Sequence, residues 1–403
     1  MKGRYMIRRK MLLVLLLLCL PGTAFADVNF ELRSGHLTYE PVSREEEAAL
    51  RETDEEHISL EEMEAAEEVL SLEDMLGAEE IGAYEEPETG WPRTFSVTVA
   101  GDTTLGSTDT LRKRDDCFEK VAEEKGYEWF FFGLVPLFGA DDMTLVNFEG
   151  TLTEETVKKE KKFNFKAPAE YTQILTSGSV EAVNVANNHT LDYGTKGRED
   201  TIANLEAAGI IVSGNGQLGI FEKNGVRVGM TGYCFPYTNG KKDISKDVRT
   251  LREQGCQIVI ASFHWGSEYK ADFTAEQRSI GRAALKAGAD IVVGHHPHVV
   301  QGIEKVEERY ILYSLGNLVF GGNVDPDDRD AYAARLTFTV YEDHADAPVL
   351  TLVPLRLTSL SKGTDYRPIL AEGEEADRIE ARILRRSYRM EDFVNGQADR
   401  TGE

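Results

Sequence analysis

Cysteine is scarce in this 403-residue sequence: there are four, none within a CxxC or Cys-His knuckle. That excludes a disulfide framework and a cysteine-rich zinc module. Cys19 follows Leu18, which is larger than the small residue a lipid-acceptor site usually carries, so lipidation is the weaker reading. Cys117, Cys234 and Cys256 remain for packing, or for one bridge whose pairing nothing specifies. Positive charge is also in deficit, with 45 Lys and Arg against 70 Asp and Glu and a net charge of −25. Such a balance argues against a nucleic-acid binder, because phosphate contacts need concentrated basic residues. Beyond residue 20 no apolar run is long enough to cross roughly 30 Å of hydrocarbon as a helix. No internal repeat is visible.

What the chain does contain begins at its N-terminus. Lys2, Arg4, Arg8, Arg9 and Lys10 precede the apolar run from Met11 to Leu20, and Ala24-Phe25-Ala26 closes it. This order reads as a secretory signal peptide, residues 1–26, cut after Ala26; at about ten residues the run is short for a permanent span. The expected location is outside the cell membrane, either secreted or at the extracellular face of the cytoplasmic membrane. Between Glu40 and Glu88 twenty acidic residues face only Arg44 and Arg51, so this stretch carries −18 of the net charge and leaves −7 to the rest. Residues 27–90 therefore read as an acidic tether, disordered or partly helical. Ile58, Leu60, Met63, Ala66, Val69 and Leu70 have helical spacing, which offers an amphipathic helix against a partner as the alternative to a solvated spacer.

From Thr94 the texture changes to short β-branched runs alternating with helical stretches, the pattern of βα units around a mainly parallel sheet. Strands are expected at 95–100, 144–148, 182–186, 210–212, 258–263, 291–293 and 310–314, with helices at 196–208 and 274–287 between them. Asn224-Gly225 favours a tight primed turn between strands 219–222 and 226–232. Strands 335–341 and 349–357 close the domain, expected over residues 91–360, and residues 361–403 supply a last helix at about 374–388 and a polar tail.

The polar residues of interest follow these strands, at the edge where open α/β sheets form their sites. They are Asp102 in VAGDTTLG, Asn147 and Glu149 in VNFEGTLT, Asn188 and His189 in VANNHTLDYG, His264 and Glu268 in SFHWGSEY, and His295, His296 and His298 in VGHHPHVVQ. Five of the eight histidines lie in three such loops. Imidazole together with carboxylate and amide oxygen suits a divalent cation, manganese, zinc, iron or magnesium, without choosing among them. Each loop has a plainer reading. Asp102 can cap a turn through Gly101, Asn187-Asn188 can be a left-handed turn pair, and His264 can be a hydrogen-bonded core residue. Tyr313 to Asn317 can be a strand end turning at Gly316. Three imidazoles around Pro297 are harder to bury without a charge partner.

As a set, GDTTLG, VNFEGTLT, VANNHTLDYG, SFHWGSEY, VGHHPHVVQGIE and YSLGNLVF resemble, in the same order, the blocks of the bacterial capsule-synthesis family called CapA over residues 94–325. That family is associated with poly-γ-glutamate capsules and related to calcineurin-like metallophosphatases. The resemblance implies a layered α/β/β/α sandwich with a mostly parallel central sheet and closing antiparallel strands. It implies Asp102, Glu149, Asn188, His264 and the group His295, His296 and His298 as metal ligands. His189 and Asp192 would be catalytic, His189 protonating a leaving oxygen or stabilising charge, and Asn147, Glu268 and Asn317 would face the substrate. Thr104 stands where the phosphatases place a histidine, and Asn-Phe-Glu replaces Gly-Asp-x-x-Asp. These departures leave open one tight metal with a weaker second, or Glu268 as a substitute ligand.

The expected role is assembly or export of poly-γ-glutamate or a related envelope polymer, beside membrane-associated capsule synthesis proteins and without nucleic acid. The ligands implied are an anionic envelope polymer or a phosphate ester. Two alternatives differ in class: a cell-surface metal-dependent phosphoesterase, and a non-catalytic factor that binds polymer.

Overall fold

The computed structural model describes residues 28–33, 36–41, 90–236, 241–391 and 393. The chain divides into two units, Met1–Pro87 and Glu88–Glu403. In the first, Val28–Arg33 and His36–Pro41 pair as antiparallel strands inside the stretch expected to be tether. Val, Phe and Leu alternate with polar residues along the first of them, which suits a strand. The signal peptide, the helix expected around Ile58 to Leu70 and most of the final polar tail lie outside the described residues.

The second unit stacks two sheets. One runs, in spatial order, Ile369–Leu370, Val349–Arg356, Asp330–Val340, Arg93–Thr104, Met143–Phe148, Ala182–Asn184 and Ile211–Ser213, with Asn317–Phe320 also paired to Arg93–Thr104. The other runs Ile303–Val306, Arg309–Leu312, Ile291–His295, Ile258–His264, Val226–Cys234 and Gly219–Lys223. In the second sheet the central pairings are parallel and both outer ones antiparallel, whereas in the first the pairings from Arg93–Thr104 to Ile211–Ser213 are parallel and those on its other side, through Asp330–Val340, antiparallel. The result is the α/β/β/α sandwich.

The layers follow from the two-residue side-chain period of a strand. Ile258 and Ile260 enter the core between the sheets with Val97, Val99, Leu145, Met230 and Val293. Val259, Ala261 and Phe263 face the opposite way, onto Ile244, Val248 and Leu251 of the helix Lys241–Glu253 and onto Ile280 and Ala284 of the helix Ala275–Ala287. Both faces are covered, so these strands read as continuous apolar runs instead of alternating ones. On the other sheet Val146, Phe148 and Val183 meet Phe118, Ile174 and Leu205 from three further helices, Phe118–Lys125, Thr172–Ser177 and Gly194–Ala207. Three of these five helices, Phe118–Lys125, Thr172–Ser177 and Lys241–Glu253, were not among those expected from the sequence.

Element ends differ for local reasons. The strand expected to reach Ala186 stops at Asn184, whose Oδ1 accepts the Ala186 backbone N–H at 3.2 Å and turns the chain into the Asn-Asn-His loop. The last helix ends at Leu384 instead of Tyr388, because the following residues bond to the edge strand Ile303–Val306 through Tyr388 N–H to Ile303 O at 2.8 Å. The hairpin at Asn224-Gly225 forms with both residues at positive φ, as a primed turn requires. Cys117, Cys234 and Cys256 are buried free thiols. Among the described residues no helix is long and apolar enough to cross a membrane.

Candidate metal centre

Registered neighbours on parallel strands stand side by side, so the sheet pairing itself assembles rows of side chains. Asn317, Asp102, Asn147 and Asn184 form one row across the first sheet. Cys234, His264 and His295 form another across the second. The first row is hydrogen-bonded throughout its middle: Asn184 Nδ2 donates to Asn147 Oδ1 at 2.8 Å, and Asn147 Nδ2 donates to Asp102 Oδ1 at 2.9 Å. Asn147, expected to face substrate, is thus buried with both ends of its amide engaged behind Asp102.

The loop after Ile291–His295 joins the two rows. The His296 backbone N–H donates to Asp102 Oδ2 at 3.1 Å, and His296 and His298 both adopt positive φ around Pro297. Non-glycine residues rarely do so. The turn sets the His298 Nδ1 at 3.2 Å from Asp102 Oδ2 and 2.8 Å from Asn317 Oδ1. Asn317 therefore orients His298. His295 Nδ1 lies 3.3 Å from Asp102 Oδ1, and the His264 and His296 rings are 4.5 Å apart.

Glu149 occupies the centre. Its backbone N–H is held by Thr103 O at 2.8 Å, its side chain is fully buried, and neither carboxylate oxygen has a hydrogen-bond partner among the described residues. Around Oε1 stand the Nε2 atoms of His189 at 3.7 Å, His264 at 3.9 Å and His298 at 4.0 Å. These separations exceed hydrogen-bond range. They approach the roughly 3–4 Å between two donors sharing one ion at about 2.1 Å each. Ligand atoms of Asp102, Glu149 and His264 lie within 4.8 Å of one another, as do those of Glu268, His296 and His298. The donor set therefore fits a divalent cation: buried acids and imidazoles aimed inward, several without a protein partner.

Charges in the cluster are shifted by their surroundings. Burial, reinforced by Asp102, pushes Glu149 up to about 8 despite the pull of His298. For His298 burial opposes the charge, but Glu149 and Asp102 outweigh it and raise the imidazole to about 10. Burial and the adjacent His296 hold His264 well below the usual imidazole range. His189 is lowered by burial against the opposing pull of Asp192.

His189 stands beside the centre rather than in a row. Asn187 Oδ1 accepts its backbone N–H at 3.0 Å, Asn188 Oδ1 lies 3.1 Å from His264 Nε2, and His189 Nδ1 is 2.8 Å from Asp192 Oδ2. Asp192 also accepts the Phe165 backbone N–H at 2.7 Å and pairs with Lys161. Glu268 is exposed at the rim. Sequence reasoning missed Lys161, whose Nζ is 3.1 Å from His189 Nδ1, together with the Phe165 ring at 4.6 Å from His189 and the Phe320 ring at 5.0 Å from His298. Lys161 and Phe165 belong to a loop tied to no long strand, and no spacing signals them.

Residues 96–322 match the model of the family described as bacterial capsule synthesis protein PGA_cap. The PGA biosynthesis protein CapA of Bacillus subtilis is 33% identical over 58% of this chain and 66% of its own length. The capsule biosynthesis protein CapA of Bacillus anthracis is 28% identical over 56% of this chain and 60% of its own. The chain thus spans less than two thirds of either relative. Among solved structures, a hypothetical protein from Thermus thermophilus covers 64% of this chain and 99% of its own at 14% identity, with a TM-score of 0.41.

Proposed function

The chain belongs to the bacterial capsule synthesis protein PGA_cap family, within the metallophosphatase-like superfamily, and on that premise we propose that it is an exported envelope-polymer synthesis factor with a divalent-metal centre. One observation carries the metal: Glu149, sealed from solvent without a hydrogen bond, has three imidazole Nε2 atoms within 4.0 Å. Asp102, Glu149, His264, His296 and His298 would hold the ion, with Asn188 beside His264, His295 beside Asp102 and Glu268 at the rim. A bound cation would supply Lewis acidity, polarising a phosphoryl or acyl oxygen and acidifying water.

The chain's own groups do the rest. Asp192 fixes the His189 ring through Nδ1 and leaves Nε2 facing the centre, where it can move a proton to or from a leaving oxygen. Phe165 packs against the His189 ring and Phe320 against the His298 ring. Export is supported by the basic, apolar and small-residue order of residues 2–26.

Elemental analysis of the purified full chain tests the centre, with at least one divalent-metal equivalent per chain expected; a metal-free protein that takes up no added Mn²⁺ sinks it. Phosphomonoester and diester assays with and without Mn²⁺ then separate hydrolase from binding factor. If turnover is found, His189→Ala is expected to reduce it by roughly 10²- to 10⁴-fold with metal content intact. Bound metal without any turnover favours the polymer-binding role.

A further inference from the structure

We propose that the recess beside the histidine cluster is an oxyanion subsite, in which Lys159, Lys161 and Arg198 hold a carboxylate or phosphate of an extended ligand. The recess is a cavity of about 640 Å³ to which these three cations contribute and, among the described residues, no acidic side chain does. That segregation runs against the composition, in which acidic residues outnumber basic ones by 70 to 45. The volume is in the range of sites for sizeable small-molecule ligands.

The cations differ in how they are held. Lys159 is anchored through its backbone, whose N–H donates to Asp192 O at 2.8 Å, and its side chain is exposed with no ion-pair partner among the described residues. Arg198 comes from the helix Gly194–Ala207; among the described residues it has no ion-pair partner and its buried Nε no hydrogen bond. A buried guanidinium N–H left unmatched is unfavourable, and an oxyanion would satisfy it with a charge-assisted bond. Lys161 links the recess to the centre, since its Nζ pairs with Asp192, lies 3.1 Å from His189 Nδ1 and donates to Asn188 O at 3.1 Å.

Asn188 lines the recess while its Oδ1 touches His264 Nε2. A ligand with one oxyanion in the recess can therefore place its next group at the histidine cluster. The subsite is made of protein cations alone, so it stands or falls separately from the metal centre.

Calorimetric titration of the full chain after EDTA treatment tests it, with inorganic phosphate and pentaglutamate as probes. Saturable binding of either is expected, weakened about tenfold or more in Lys159→Gln/Arg198→Gln. Phosphate binding as tightly as the peptide assigns a single oxyanion, and tighter peptide binding assigns a polycarboxylate chain. Lys159→Gln alone changes an exposed side chain and guards against misfolding of the double variant; it is expected to lose about threefold or more. Failure of both probes to bind the wild type, or unchanged binding in the variants, overturns the proposal.

Discussion

An ionised carboxylate buried without a partner costs several kcal/mol, more than the packing of its methylenes returns. Glu149 would be such a group if it were charged, and its rise to about 8 expresses that cost. A cation among His189, His264 and His298 would remove it, which makes two outcomes measurable. Added Mn²⁺ is expected to raise the melting temperature of the wild type, since a ligand at a hundred times its Kd stabilises by about 2.7 kcal/mol. Glu149→Gln is expected to abolish that response while still folding, because the amide keeps the volume and loses the charge. An equal Mn²⁺-induced shift in the variant would remove Glu149 from the ligand set.

The pH dependence has a definite sign. Without a cation, Glu149 at about 8 and His298 at about 10 both carry protons at pH 7. Binding must displace them, so affinity should fall as pH falls, by about tenfold per pH unit for each proton released. Mn²⁺ titrations at pH 6, 7 and 8 with measured proton release check this, and a pH-independent Kd contradicts it. At this scale the histidines were legible in the sequence because imidazoles concentrate just after strands. Lys161 was not. A run such as Lys158-Lys159-Glu160-Lys161-Lys162 normally reads as solvated surface, and its contact with a histidine 28 positions on is created by the fold.

At the scale of elements, the strands Ile258–His264 and Ile291–His295 were legible because burial on both faces leaves unbroken apolar runs. The helix Lys241–Glu253 was also legible in principle, with Ile244, Val248 and Leu251 at helical spacing. Thr151–Leu152 and Lys166–Ala167, two residues each, are too short to show any period. The approach of Arg93–Thr104 to Asn317–Phe320 was likewise hidden, though the site depends on it. The Asp102 backbone N–H donates to Gly316 O at 3.0 Å, and a Cβ on Gly101 would stand 2.1 Å from that same oxygen. Gly101→Ala must push the two segments apart, moving Asp102 and Asn317 together and with them the His298 ring. The expected result is a loss of about 1–3 kcal/mol in stability, as for other overpacked cores, accompanied by reduced metal content. Chemical denaturation and elemental analysis of the variant read both; a stable variant with full metal content contradicts the coupling.

Over the whole molecule, charge is divided as unevenly as structure. Residues 40–88 carry −18 of the net −25, whereas the three hydrophobic clusters draw their buried residues from Phe95 to Met390. Removing residues 1–87 takes away none of the described core side chains, and the remaining fragment is expected to keep its metal content. It should differ in electrostatics. A strongly acidic segment attached to the domain lowers the local concentration of any polyanion over about a Debye length, near 30 Å at 0.01 M salt and 3 Å at 1 M. If the Lys159, Lys161 and Arg198 recess takes an oxyanion, the truncated chain should bind pentaglutamate more tightly than the full chain at low salt. The difference should vanish near 1 M, where both charges are screened. Titration of the two proteins across that salt range decides it. Equal affinities at 0.01 M would mean that the acidic segment does not modulate the recess, and a gap that persists at 1 M would mean that it acts by contact instead of by field.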